Sequence, residues 1–128
     1  MLKKSLAPFF KKINDTYGHD VGDVALKHVA SILTTNVRKT DVVARFGGEE
    51  FCVLLANVDR QRALLVFGKM RKVIEKTEVK ANGKTIKLTI SVGVSTELKN
   101  TLEEMIKGAD EMLYQAKDSG RNRVVIEV

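Results

Sequence analysis

The densest chemistry lies in Arg45-Phe46-Gly47-Gly48-Glu49-Glu50-Phe51, where adjacent glycines and adjacent carboxylates interrupt an apolar stretch. Val42-Val43-Ala44 precedes them and Phe51-Cys52-Val53-Leu54-Leu55 follows, so Gly47-Gly48 reads as a two-residue turn between strands, where positive φ is needed. Bare backbone lets a bulky anion such as a phosphate approach the amides. Carboxylates just beyond can hold a hard divalent cation through oxygen. Strand alternation sends Glu49 and Glu50 to opposite faces, so one suits a metal and the other charge stabilisation or proton transfer. By itself, a glycine turn followed by two glutamates is most often a plain solvated hairpin.

Asn14 and Asp23 bracket the entry to the first long helical pattern. An amide and a carboxylate match the donor and acceptor edge of guanine, although such residues at a helix start are more often caps. Lys117 and Arg121 stand four apart at the end of the last helical pattern, where cations favour the helix dipole in any case. Arg38 and Asp41 form an Arg-x-x-Asp sequence upstream of the glycine turn, a pattern with little specificity alone. His19 and His28 lack metal-ligand spacing and are assigned structural or surface roles.

These groups need elements to hold them. From Val21, Leu26, Val29, Ala30, Leu33 and Val37 share one face of a helix ending near Arg38. After Asp59 a second helix presents Ala63, Val66, Phe67, Met70, Val73 and Ile74, with Gly68 inside it as a mark of close packing. Asn82-Gly83 signals a type I′ hairpin, beyond which Ile86, Leu88, Ile90, Val92 and Val94 alternate as one half-buried strand. A capping box at Thr101 and Glu104 opens a third helix carrying Leu102, Met105, Ile106, Ala109, Met112, Leu113 and Ala116. Gly120 caps it, and Val124-Val125-Ile126 forms a closing strand. Before the first helix only residues 2–7 could form a strand, and Pro8 then removes a ladder donor.

The chain has 128 residues, 44% of them hydrophobic, enough for one core, and no linker divides it. The expectation is a single domain over 1–128, its residues 1–10 an atypical remnant of a first strand. No apolar run spans a bilayer and the N-terminal segment is too short for a signal peptide. With Cys52 as the single cysteine, inside an apolar strand, a cytoplasmic core thiol is expected. The net charge of +6 could attract nucleotides. The lysines are scattered over helix faces, however, and no nucleic-acid module appears.

Several ordered motifs together carry a resemblance: the seven residues around the glycine turn, Phe10-Lys11-Lys12-Ile13-Asn14-Asp15-Thr16-Tyr17-Gly18-His19, Gly22-Asp23, Ala109-Asp110, Ala116-Lys117 and Gly120-Arg121-Asn122-Arg123. The chain resembles a GGDEF domain, the diguanylate cyclase module, in its Gly-Gly-Glu-Glu-Phe version. That resemblance implies an α+β fold, a nucleotidyl-cyclase or palm-like, largely antiparallel sheet with packed helices. It also implies condensation of two GTP molecules into cyclic dimeric GMP with release of pyrophosphate, between two protomers facing each other as a homodimer. Asn14 and Asp23 would then read guanine, Lys117 and Arg121 contact phosphates, and Gly47 and Gly48 let the chain approach the nucleotide. Glu49 would ligate Mg2+ (or Mn2+), with Glu50 assisting metal binding or proton removal. Arg38 and Asp41 would form the inhibitory site for the product, with Arg71 a lesser candidate for its secondary half.

The resemblance fails at one place. Where the family carries Asp-x-Asp-x-Phe-Lys at the end of its first central strand, this chain reads Leu6-Ala7-Pro8-Phe9-Phe10-Lys11. Leucine cannot coordinate a hard cation, so metal affinity should fall. The first central strand is expected to be shortened or replaced, by residues 1–7 or by another chain through exchange. The leading expectation is therefore a weakened diguanylate cyclase. The alternative is a non-catalytic receptor binding cyclic dimeric GMP at Arg38 and Asp41 or GTP at Asn14 and Asp23.

Overall fold

A computed structural model describes residues 9–13, 19–47, 50–56, 58–81, 83–95 and 101–127. Along the chain run β1 (Phe9–Ile13), α1 (His19–Thr35), β2 (Val42–Gly47), β3 (Glu50–Leu54) and α2 (Arg60–Lys76). These are followed by β4 (Glu78–Ala81), β5 (Lys84–Lys87), β6 (Ile90–Val94), α3 (Leu102–Asp118) and β7 (Val124–Ile126). Five strands form one sheet in the order β2-β3-β1-β6-β7, antiparallel except for the β6–β7 pair, and β4 and β5 form a separate hairpin. The fold is α+β, as the motifs implied.

Alternation along β3 assigns the layers. Phe51 and Val53 join the main core with Val29 and Leu33 of α1 and Phe67, Met70 and Ile74 of α2, whereas Cys52 packs with Ala109 and Leu113 of α3. Thus α1 and α2 cover one face and α3 the other. The single cysteine, Cys52, is buried, a core residue.

The polar ends of the helices follow local chemistry. Asp59 caps α2 by accepting from the Arg62 amide at 2.7 Å, and Thr101 caps α3 by accepting from the Glu104 amide at 3.2 Å. α1 ends at Thr35 rather than near Arg38. Thr35 and Asn36 turn their side chains back onto the Ser31 and Ile32 carbonyls, which satisfies orphan acceptors and stops the helix.

Four further expectations change. The strand expected in residues 2–7 lies outside the described residues, and β1 fills the central sheet position with Phe9–Ile13, next to β3 and β6. The same chain supplies that strand, so no exchange with a second chain is required. The alternating run from Ile86 to Val94 is broken into β5 and β6 in different sheets, and β6 is buried along its whole length. Helices on both faces explain this, and Gly93 permits it: a Cβ there would lie 2.1 Å from the Ala109 carbonyl oxygen. Gly68, by contrast, has open space around it and marks no close packing. Finally, Gly47 is still in β2 and pairs with Glu50 across a register shift after Arg45, so the connection is 48–49, one residue later than expected.

Candidate functional site

The register sorts the candidate residues between the two ends of the sheet. Across one end run Gly47, Glu50, Lys12 and Ser91 on successive strands, followed by the start of β7 at Val124, which pairs with Val92. The connection 48–49, the exit of β1, the C-terminus of α3 and the loop 119–123 all open at this end. α1 begins beyond that exit. Arg38 and Asp41 precede Val42 at the opposite end of β2, about 17 Å away for five residues of strand.

On the α1 face, running along β2 from the turn end toward the Arg38–Asp41 end, lies an open groove of about 340 Å³ lined by Asp23, Leu26, Lys27, Ala30, Thr34, Val43, Arg45 and Phe51. Helical spacing brings Asp23, Lys27, Ala30 and Thr34 to one side, and alternation along β2 brings Val43 and Arg45 to the other. Its apolar walls with a few polar groups at the rim suit a flat ring with a hydrogen-bonding edge. Glu50, two residues before Cys52, points to the α3 face instead. Asp23 and Glu50 are therefore on opposite faces of the sheet, joined around the end of the β2–β3 hairpin. Lys117, in the last turn of α3, and Arg121, in the loop after it, stand on Glu50's side.

Asn14, Gly48 and Glu49 lie outside the described residues, so their predicted roles have no described geometry. Among the described residues no group of three or more His, Cys, Asp or Glu side chains could hold a metal ion. Glu50 is the described carboxylate at the turn, and a cation beside it would draw most of its oxygens from nucleotide phosphates and water, as Mg2+ commonly does. His28 is half-buried in α1 and its Nε2 has no partner among the described residues.

The loop 119–123 is unusual. The Gly120 amide bonds the Lys117 carbonyl and the Arg121 amide bonds the Ala116 carbonyl, a Schellman closure of α3. Gly120 has φ 122°, as its predicted capping role requires, and Arg121 and Asn122 also have positive φ, 64° and 45°. Arg71 of α2 donates to Asn122 Oδ1 at 2.9 Å and lies 3.5 Å from Glu75, while the Asn122 amide nitrogen donates to Glu75. This hydrogen bond from Asn122, with the charge of Arg71 beside it, lowers the Glu75 carboxyl below the ordinary glutamate value.

The other end is built differently. Asp41 accepts from the Arg38 amide at 2.8 Å through one oxygen and from the Ala56 amide at 2.9 Å through the other, and the Arg38 guanidinium donates to the Ala56 carbonyl. The Asp41 side chain is 2% exposed and that of Arg38 is 57%. Arg71 does not join them. Its partner Asn122 leads into β7, four strand spacings or about 19 Å across the sheet from β2. Sequence reasoning gave no role to Arg45 or Asn122. Arg45 was readable from alternation with Val43, but the contact of Asn122 with Arg71 spans 51 positions and has no local signal.

Fold and groove define an α+β domain with its candidate site at one end of a mixed sheet. The sequence profile of the family "Diguanylate cyclase, GGDEF domain" matches residues 7–123. Diguanylate cyclase A of Treponema denticola is 44% identical over 121 residues, covering 92% of this chain and 32% of that protein. Response regulator PleD of Caulobacter vibrioides is 45% identical over 91% of this chain and 27% of its own length. Among solved structures, the GGDEF domain of YfiN from Pseudomonas aeruginosa superposes with a TM-score of 0.91 at 27% identity, covering 98% of this chain and 83% of that one. The GGDEF domain of DgcB from Caulobacter crescentus, in complex with c-di-GMP, gives 0.86 at 25% identity over 96% and 78%. The chain belongs to the GGDEF family. It spans about a third or less of these curated relatives. No helix among the described residues is long and apolar enough to cross a membrane.

Proposed function

We propose that this domain binds GTP across the turn end of its sheet and, as a pair of copies, condenses two GTP into cyclic dimeric GMP. The observation that carries this reading is the convergence, in a GGDEF-family chain, of the Asp23 end of the groove, Gly47 at the end of β2, Glu50, Lys117 and Arg121 at one end of the sheet. The base enters the groove, where Asp23 accepts from guanine and Asn14 supplies the complementary amide. The chain of phosphates passes around the glycine turn to the α3 side, where Lys117 and Arg121 take their charge.

Each bound GTP offers its 3′-hydroxyl to the α-phosphate of the other. The new O–P bond displaces pyrophosphate, and the hydroxyl proton passes to a nearby base, for which Glu50 is the candidate. Two copies must face each other because one site holds one nucleotide. Mg2+ (or Mn2+), held by Glu49 and the phosphates, would neutralise the triphosphate and polarise the α-phosphate. Leu6 stands in the sequence where the family motif has an acidic ligand, and the β1 residue paired with Glu50 is Lys12, so no strand carboxylate strengthens that hold. Cyclic dimeric GMP would restrain the domain through Arg38, whose side chain is exposed although it donates to the Ala56 carbonyl, with the Asp41 carboxylate already engaged. Because Arg71 lies across the sheet, a product molecule touching both arginines must bridge two copies.

The test is incubation of the purified chain with GTP and Mg2+, then Mn2+, with chromatographic separation of nucleotides against Glu49→Ala. Cyclic dimeric GMP from the unmodified chain alone supports the cyclase. A folded chain that binds GTP and yields no product is a receptor, a reading that Leu6 favours.

A further inference from the structure

Two consecutive non-glycine residues in the left-handed region are costly, about 1–2 kcal/mol each for residues other than glycine and, to a lesser degree, asparagine. Here they are Arg121 and Asn122, the non-glycine residues with positive φ among those described. Strain of this kind persists only where the surroundings over-determine it, and it gathers at sites of function.

The surroundings do so from three sides. The Schellman bonds fix Gly120 and the amide of Arg121. The Arg123 side chain donates Nε–H to the Arg121 carbonyl at 2.9 Å. The Asn122 amide group fastens the loop to α2, accepting from Arg71 and donating to Glu75. All this ordering presents the exposed Arg121, whose guanidinium makes no side-chain hydrogen bond or ion pair among the described residues. A loop held in strain to present an unpaired cation at the mouth of an anion site is held for that cation's direction.

We infer that Asn122, clamped between Arg71 and Glu75, is a positioning residue that locks the loop 119–123 in its left-handed form and aims Arg121 at the phosphates of the bound nucleotide. The inference rests on the nucleotide reading above. It assigns the half-buried Arg71 a role within its own chain. It also makes the α2 surface around Glu75 a support for the phosphate end of the site.

Asn122→Gly tests it, because glycine keeps the left-handed backbone and removes only the clamp. Competition against a fluorescent GTP analogue would give the affinities of GTP and of guanosine, and thermal melting would report folding. Asn122→Gly is expected to melt close to the unmodified chain, to bind GTP about tenfold more weakly, and to bind guanosine unchanged. Glu75→Gln, which still accepts from Asn122, should keep GTP affinity, whereas Glu75→Ala should lose it as Asn122→Gly does. Unaltered GTP affinity in Asn122→Gly, or equal loss of GTP and guanosine, overturns the positioning role and leaves the nucleotide reading intact. An unmodified chain that binds no GTP overturns both.

Discussion

The two ends of the sheet each carry an arginine and an aspartate, and they use them in opposite ways. At the Arg38–Asp41 end the carboxylate is buried and both its oxygens accept backbone amides, so the charges hold the chain together. At the turn end Asp23 is exposed at the rim of a groove, and Arg121 stands on a strained backbone with no side-chain partner among the described residues. The difference teaches that a charged motif declares its role by what its polar atoms already do. Saturated groups are structural first, and groups presented at a cost are kept for a ligand.

The largest expected effect comes from the strand that both ends share. Gly93→Ala places a methyl group against the backbone of α3 at Ala109 and Leu113, where side-chain adjustment cannot relieve it. A loss of about 3 kcal/mol or more is expected in urea unfolding, with both ends failing together. Loss of nucleotide binding without loss of stability would mean that α3 can slide over β6. Next, Asp41→Ala leaves the Ala56 and Arg38 amides without acceptors and should cost about 2–4 kcal/mol, while Asp41→Asn retains part of that. A variant as stable as the parent would erase the distinction between the ends.

Asp23→Ala should do the reverse. Its side chain is exposed, so unfolding free energy should change by no more than about 0.5 kcal/mol. GTP affinity should fall roughly tenfold, the scale of one charge-assisted hydrogen bond. Equal weakening of ATP and GTP would show that Asp23 does not read the base.

Acid sharpens the comparison further. Glu75 is lowered by the Asn122 hydrogen bond and, after the opposing effect of desolvation, by the charges of Arg71 and Lys76. Its folded value lies below its unfolded one, so its contribution is complete above the ordinary glutamate range and is lost as pH falls through the depressed value. Chemical shifts of the Asn122 side-chain amide should therefore titrate below that range. A midpoint at or above the ordinary value would remove the clamp.

Much of this fold was legible because helical periodicity and caps are local. Asp59, Thr101 and Gly120 mark element ends through their own side chains or φ, and each stands where the pattern placed it. What escaped was tertiary. The alternation from Ile86 to Val94 contains no sign that Leu88 and Thr89 carry the chain from one sheet to another. β1 was hidden because the motif expected to end the central strand is absent, and Phe9–Ile13, read as the segment after it, occupies the strand itself. The positions of Asp23 early in α1, beside the groove, and of Arg121 just after α3 were readable from the motifs. The burial of Asp41 and the bridge from Arg71 to Asn122 depend on residues 15 and 51 positions apart, which no spacing rule connects.

The smallest expected effect concerns α2, the one helix that reaches from Asp59, near the Arg38–Asp41 end, to Arg71 and Glu75 at the clamp. Gly68 lies midway in it with no atom near enough to meet a Cβ, beside a groove formed with Leu64, Leu65 and Lys72. Gly68→Ala should therefore stabilise by about 0.5–1 kcal/mol, through lower backbone entropy in the unfolded chain and better helix propensity. The melting temperature should rise by roughly 2–5 °C. Because the two ends are held by separate bond sets, a stiffer helix between them should leave GTP affinity where it was. A change in affinity beyond about twofold would show that α2 transmits strain from one end to the other, and the ends would then be two faces of one device.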